Sequence, residues 1–104
     1  MPYQFSGILQ ELIDKARTGS VNDVDFIMSH LSSDTSFAMT RYVDFALSLV
    51  ENPLGFEQIK YYLFNGTLIQ RNYASLYLSR LGEAEPVKEA FNKGLIDQIQ
   101  AYAR

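Results

Sequence analysis

His30 is the only histidine in the chain and, by type, the residue best suited to general acid–base chemistry. Such catalysis also needs a nucleophile or acid beside the imidazole and a group that orients the ring. The same segment offers Asp23, Asp25 and Ser29, but none stands at a spacing that would assemble these parts. His30 lies near the end of a predicted helix, where an imidazolium complements the helix dipole. We therefore interpret His30 as structural, and the sequence predicts no catalytic residue.

Two acidic pairs have the composition of a metal site without its spacing. Asp23 and Asp25 are two positions apart, so on a helix their side chains point about 200° apart and cannot hold one ion. Glu83 and Glu85 precede Pro86, where acidic side chains favour the start of a helix. We interpret both pairs as helix caps. The chain also lacks cysteine and any glycine-rich phosphate loop, so the sequence predicts neither a metal nor a cofactor.

Composition narrows the classes of partner. The 104 residues are 47% apolar and 20% charged, which is typical of one folded domain spanning residues 1–104. The formal charge of −3 disfavours nucleic-acid binding, which needs clustered lysine and arginine. Residues 1–5 lack the basic and apolar segments of a secretion signal, and no stretch has the length of a membrane span. These features predict a cytoplasmic protein with neither nucleic acid nor a membrane as its partner.

The apolar residues recur with a helical rather than an alternating period along the whole chain, which predicts an all-α fold of about six helices. Helix starts and stops are marked by capping residues, glycines and prolines. These boundary signals stand at Gly19, Ser20 with Asp23, residues 32–36, Asn52-Pro53, Asn65-Gly66, Thr67 with Gln70, Gly82 and Pro86, with a possible break at Gly94. Connections of two to five residues make neighbouring helices antiparallel. We therefore expect three stacked antiparallel helical hairpins at about residues 5–32, 36–65 and 67–104.

The third and fifth predicted helices resemble each other when they are offset by 31 positions. Tyr42 then coincides with Tyr73, and Leu47 with Leu78. Each helix also keeps one narrow polar stripe; the two stripes contain Arg41, Asp44, Ser48 and Glu51 in one helix, and Asn72, Ser75 and Ser79 in the other. A helix that is apolar on most sides is enclosed by neighbours. We expect these two helices in the middle of a short solenoid whose amphipathic end helices make it a complete protein.

A pattern of arginine, alanine and leucine in the fifth helix resembles the HEAT-like repeats of the bilin-lyase type. Its places are filled by Arg71, Ala74, Leu78, Leu81 and Gly82. The stretch 87–96 is similar to an armadillo segment, and residues 64–69 echo it one repeat earlier. The resemblance covers about residues 36–100. Bulky side chains at Tyr73, Leu76 and Tyr77, and an armadillo period longer than 31, leave the exact repeat family open.

The resemblance implies a right-handed α-α superhelix in which the second helix of each pair lines the concave surface. On the fourth helix, Tyr61 and Phe64 lie away from the core stripe and share a face with Glu57 and Lys60. Either the neighbouring repeat covers this face, or an exposed aromatic patch binds a partner. The candidate binding residues are the aromatic side chains Tyr61, Phe64, Tyr77 and Tyr102 and the polar-stripe side chains Arg41, Asp44, Asn72 and Ser75.

Three functions remain open at this point. The first is a non-catalytic module that binds another protein. The second is a homo-oligomeric structural protein in which Tyr61 and Phe64 meet a second copy. The third, which the resemblance implies, is an enzyme or an enzyme accessory, because HEAT-like repeats include chromophore lyases and DNA-repair glycosylases. Its reaction would depend on carboxylates and tyrosines such as Asp44 and Tyr73.

Overall fold

A computed structural model describes residues 7–103 of the chain. Within that range every regular element is a helix, so the all-α prediction is confirmed. The helices are α1 (Gly7–Thr18), α2 (Val21–Met28), α3 (Phe37–Ser48), α4 (Pro53–Asn65), α5 (Leu68–Arg80), α6 (Ala84–Asn92) and α7 (Gln98–Tyr102). Two predictions lie outside the described residues. One is the start of the first helix pair at residue 5, and the other is that residues 1–5 do not form a secretion signal.

Short-range capping sets most of these boundaries. Ser20 and Thr67 each form a capping box with the residue three positions later, Asp23 and Gln70 respectively. The hydroxyl of the first residue accepts a hydrogen bond from the backbone N–H of the second, and the side chain of the second accepts one from the backbone N–H of the first. Simple side-chain caps stand at Ser36 and Asp97. The caps of α3, α5 and α7 are therefore 31 and 30 residues apart, which is close to the offset found in the sequence.

The last predicted helix is two helices. Gly94 has a φ of +77°, which ends the first of them, and Asp97 caps α7 three residues later. The first of the two also begins at Ala84 and not at Pro86. Pro86 is tolerated as its third residue because the first N–H groups of a helix have no intrahelical partner. The helix α3 ends at Ser48, three residues before its predicted end at Glu51.

The chain divides into two units, Met1–Phe56 and Glu57–Arg104, which are described separately below. In unit 1 the helices α1, α2 and α3 contact one another. Their facing stripes form an almost wholly apolar core: Leu12, Ile13, Ala16, Val24, Ile27, Met28, Leu31, Val43, Ala46, Leu47 and Val50. The first turn of α4 also belongs to unit 1, where Asn52 Nδ2 donates to the Thr18 carbonyl oxygen at 3.1 Å.

Gly55, in that first turn of α4, permits a close approach to the turn between α1 and α2. A Cβ at Gly55 would collide with the carbonyl oxygen of Gly19 and with the side chain of Val50. Only glycine therefore fits this contact without a backbone shift. The connection itself depends on Gly19, whose φ of +64° ends α1.

In unit 2 the helices α5, α6 and α7 contact one another. The core contains apolar side chains from α4, α5 and α6 and from the turn before α7, together with two serines; its members are Ile59, Leu63, Ala74, Ser75, Tyr77, Leu78, Ser79, Val87, Ala90 and Ile96. Consecutive helices in contact, as α1 with α2 and α5 with α6, are consistent with hairpin packing. The single domain and the stacking of three hairpins into a superhelix stay predictions.

Candidate functional site

The four candidate aromatic residues have different surroundings. Tyr61 is 54% exposed and Tyr102 is 73% exposed, so both rings are available to a partner. Phe64 is half-buried, and the Lys93 ammonium lies 5.4 Å from its ring centroid. Tyr77 is only 6% exposed and belongs to the core of unit 2, so it is removed from the group of surface aromatics.

The four candidate polar residues also differ in their exposure and hydrogen bonding. Arg41 is exposed and Asp44 is half-buried, both on α3. On α5, Ser75 is buried, and its Oγ donates to the carbonyl oxygen of Gln100 at 3.2 Å. Asn72 is half-buried, and its Oδ1 is buried with no hydrogen-bond partner among the residues that the structure describes. The stripe of α5 is therefore not a solvated seam, because α7 covers it at Ser75.

Arg71 has a structural role that sequence reasoning did not assign. Its Nε donates to the carbonyl oxygen of Leu95 at 2.8 Å, and its Nη1 donates to the carbonyl oxygen of Gly66 at 2.9 Å. One guanidinium on α5 thus connects the turn after α4 with the turn after α6. Hydrogen bonds from a charged donor are among the stronger ones in proteins. The sequence similarity between residues 64–69 and 87–96 pointed to both turns. No neighbouring residue in the sequence indicated that one side chain bonds to both of them.

His30 fits the structural interpretation. Its Nδ1 donates to the Phe26 carbonyl oxygen at 2.9 Å, one turn earlier, and its ring packs edge-on against Phe26 with centroids 4.9 Å apart. The Lys15 ammonium lies 5.5 Å from the same phenyl ring and connects α1 to this cluster. Thr35 Oγ1 also donates to the backbone carbonyl of His30.

One exposed surface follows α3, and we call Phe37, Arg41 and Phe45 the α3 surface. These residues are four positions apart, so they lie on one side of the helix. Phe37 is 76% exposed, and Arg41 and Phe45 are exposed as well. The Arg41 Cζ lies 5.7 Å from the Phe37 ring centroid, within the range of a cation–π interaction. A contact of this kind at an exposed site contributes about 0.5–1 kcal/mol, which favours the placement of the guanidinium over the ring.

A second surface is a groove of about 400 Å³ within unit 2. It is lined chiefly by α6 and α7, and we call it the α6–α7 groove; its lining includes Val87, Lys88, Phe91, Asn92, Ala101 and Tyr102. Ile99 lies one turn before Tyr102 on α7 and is 78% exposed. The groove is mostly apolar, and among the described residues that line it only Lys88 is charged.

Within residues 7–103, no cluster of three or more histidine, cysteine or acidic residues has the geometry to hold a metal ion. None of the helices in that range combines the length and the hydropathy needed to cross a bilayer. The chain matches no protein-family model, no curated protein and no solved structure. Its function must therefore be inferred from its own surfaces.

Sequence reasoning missed the two most exposed large apolar side chains among the described residues, Ile99 and Phe37, and also the less exposed Phe91. A signal for Phe37 was present, because aromatic, arginine and aromatic residues recur every fourth position from 37 to 45. The spacing of Phe91 and Ile99 in the sequence predicts that both lie on the apolar stripe of a single amphipathic C-terminal helix. The break at Gly94 separates them, so the stripe that would have buried both does not form.

Proposed function

We propose that this chain is a non-catalytic helical module that binds another protein through the α3 surface. The observation that carries the proposal is the exposure of Phe37 beside Arg41, with the guanidinium held over the phenyl ring. Aromatic and arginine side chains dominate the energetics of protein interfaces, and an uncovered phenyl ring in water is unfavourable. A partner that covers Phe37 removes this unfavourable exposure.

The α3 surface defines the chemistry of that partner. A convex helix face that presents side chains every fourth residue fits a groove or a shallow concave surface. Phe37 and Phe45 require apolar hollows spaced by about two helical turns, roughly 11–12 Å. Arg41 lies between them and requires a carboxylate, with which it forms a charge-assisted pair.

The HEAT-like or armadillo-like assignment is part of the same proposal. It is supported by the 31-residue and 30-residue spacing of the N-caps of α3, α5 and α7 and by Arg71, which joins two equivalent turns. A cytoplasmic location stays a prediction from the sequence. The non-catalytic character is part of the proposal and is supported by the spacing of Asp23, Asp25 and Ser29, none of which assembles a catalytic group with His30.

Quantitative affinity capture tests the α3 surface. Immobilised wild-type chain and the double variant Phe37→Ser/Arg41→Ala are compared for the proteins that they retain from an extract of the source cells. We expect at least one protein to be retained about tenfold less by the variant, because a pair of hot-spot residues contributes more than 1.4 kcal/mol to binding.

The matched control is Leu54→Ser, which alters an equally apolar and exposed residue of unit 1 outside the α3 surface. It should retain partners like the wild type. Equal recovery of every protein by the wild type and by the α3 double variant, with both chains folded by circular dichroism, contradicts the proposal.

A further inference from the structure

The α6–α7 groove combines a cavity with protruding apolar side chains on the same surface. The cavity of about 400 Å³ is bounded on one side by Val87 and Phe91 of α6. Tyr102 of α7 also lines the groove and is still 73% exposed, and Ile99, one turn earlier on α7, is 78% exposed. One face of unit 2 therefore carries both the α6–α7 groove and exposed apolar side chains that could fill such a groove in a second copy.

This combination is the requirement for a twofold symmetric contact. In an isologous interface the same patch serves both copies, so it must be complementary to itself. Tyr102 and Ile99 of one copy enter the groove of the second copy, and the second copy returns the same contact. A groove without protruding side chains, or protruding side chains without a groove, would need a different partner.

The charges on α6 are self-complementary as well. Lys88 lines the groove, and Glu85 stands one turn earlier on the same helix, exposed to solvent. Antiparallel apposition of two α6 helices about a twofold axis brings each ammonium towards the carboxylate of the other copy. A face with a single sign of charge would instead repel its own copy.

From these observations we propose that the chain forms a homodimer through the α6–α7 groove, with Ile99 and Tyr102 of each copy inserted into the groove of the other. The proposal uses no residue of the α3 surface and is independent of the binding function assigned there. The second copy is thus the occupant of this groove, and a different protein is the partner of α3.

The size of the face sets the expected affinity. A fully accessible aromatic side chain presents about 150–250 Å², so Tyr102, Ile99 and Phe91 together offer on the order of 400 Å² in each copy. Two copies then bury roughly 800 Å² of this apolar surface, which is below the 1,200–2,000 Å² of a standard stable interface. We expect a transient dimer with a dissociation constant of about 100 μM.

Sedimentation equilibrium of the full chain tests the dimer between about 10 μM and 1 mM, a range that brackets the expected dissociation constant. The weight-average mass of the wild type should rise from its monomer value of 11.9 kDa towards twice that value. Ile99→Asp and Tyr102→Ser should stay monomeric across the range. Leu54→Ser is the matched control, since it removes an exposed apolar side chain of unit 1 that belongs to neither proposed surface, and it should dimerise like the wild type.

A charge exchange tests the orientation of the two copies. Lys88→Glu should weaken the dimer about tenfold, because it places like charges opposite each other, and the double variant Lys88→Glu/Glu85→Lys should restore it. Circular dichroism confirms that each variant is folded. A wild-type monomer at 1 mM overturns the proposal, and so does a dimer that survives both Ile99→Asp and Tyr102→Ser. Failure of the double exchange to restore association overturns the twofold arrangement of α6.

Discussion

The two units use the same capping devices but fill their cores differently. Ser20 in unit 1 and Thr67 in unit 2 each form a capping box. Among residues 7–56 of unit 1 the buried side chains are apolar except for Thr40, which bonds within its own helix. In unit 2 two serines are buried, and Arg71 and Ser75 donate to backbone carbonyls of later segments.

Helix length explains the difference. In unit 1 the helices α1 and α3 have twelve residues each, and α2 has eight, so apolar stripes of several turns can face one another. In unit 2, α6 has nine residues and α7 only five. The short helix α7 buries none of its own residues, so hydrogen bonds from α5 to backbone carbonyls supplement apolar burial in this unit. The same short helices leave Phe91, Ile99 and Tyr102 exposed, which is why the proposed dimer contact lies in unit 2.

The largest effect is expected from removing a core leucine in each unit. Leu47 and Leu78 are both fully buried and are related by the 31-residue offset, so they form a matched pair. We expect Leu47→Ala to lower the free energy of unfolding by about 3–4 kcal/mol and Leu78→Ala by about 2–3 kcal/mol. Leu78 is flanked by Ser75 and Ser79, and Ser79 borders the groove, so its surroundings relax more easily.

Urea denaturation followed by circular dichroism measures both leucine variants. The comparison between the units fails if Leu78→Ala is clearly the more destabilising of the two, because the core of unit 1 would then not be the better packed one.

Gly55→Ala should be the next most damaging change. Alanine favours a helix by about 1 kcal/mol over glycine, but here its Cβ meets the backbone carbonyl of Gly19, which cannot rotate away. We expect a net loss of about 2 kcal/mol in the free energy of unfolding. Gly7→Ala, where a Cβ meets no atom within 4 Å, is the control and should be neutral or slightly stabilising. An increase in the melting temperature of Gly55→Ala would show that α4 does not approach the α1–α2 turn.

Arg71→Ala probes the hydrogen bonds particular to unit 2. Its loss leaves the carbonyls of Gly66 and Leu95 without their charged donor, and we expect a loss of about 2 kcal/mol. Arg17→Ala, at an exposed position of α1, should change the free energy of unfolding by less than about 0.5 kcal/mol. Hydrogen exchange adds a local readout: the amides of residues 93–97 should exchange faster in Arg71→Ala, and unchanged rates there would argue against the clamp.

The smallest effects are expected at the two capping boxes, where the units are alike. Ser20→Ala and Thr67→Ala should each cost about 1 kcal/mol, because each leaves one N–H at the start of a helix without its acceptor. Ser33→Ala, in an exposed turn, should have no measurable effect in the same thermal denaturation series. A large difference between the two cap variants would mean that capping does not act equally in the two units.

The features that the sequence predicted correctly are those set by a few neighbouring residues. The pairing of Ser20 with Asp23 and of Thr67 with Gln70, and the helix ends at Gly19 and Gly82, depend only on local backbone geometry. Such signals can be identified without knowledge of the tertiary contacts.

The features that it missed depend on contacts between distant segments. Ser75 was expected on a solvated stripe, but its hydroxyl bonds to Gln100, 25 residues further on. Tyr77 was a candidate for the aromatic binding surface but is buried, and only the positions of the neighbouring helices decide which apolar side of its helix is covered. The site residues Phe91 and Ile99 are exposed because the break at Gly94 separates a stripe that looked continuous.

The central claim is that Phe37 on α3 and the pair Ile99 and Tyr102 on α7 are uncovered in the monomer while Tyr77 is enclosed. Hydroxyl-radical footprinting with mass spectrometry, at a concentration well below the expected dimer dissociation constant, measures this directly. Phe37, Ile99 and Tyr102 should be oxidised at rates close to those of the urea-unfolded chain, and Tyr77 far more slowly. Protection of Phe37 or Tyr102 equal to that of Tyr77 would contradict the account.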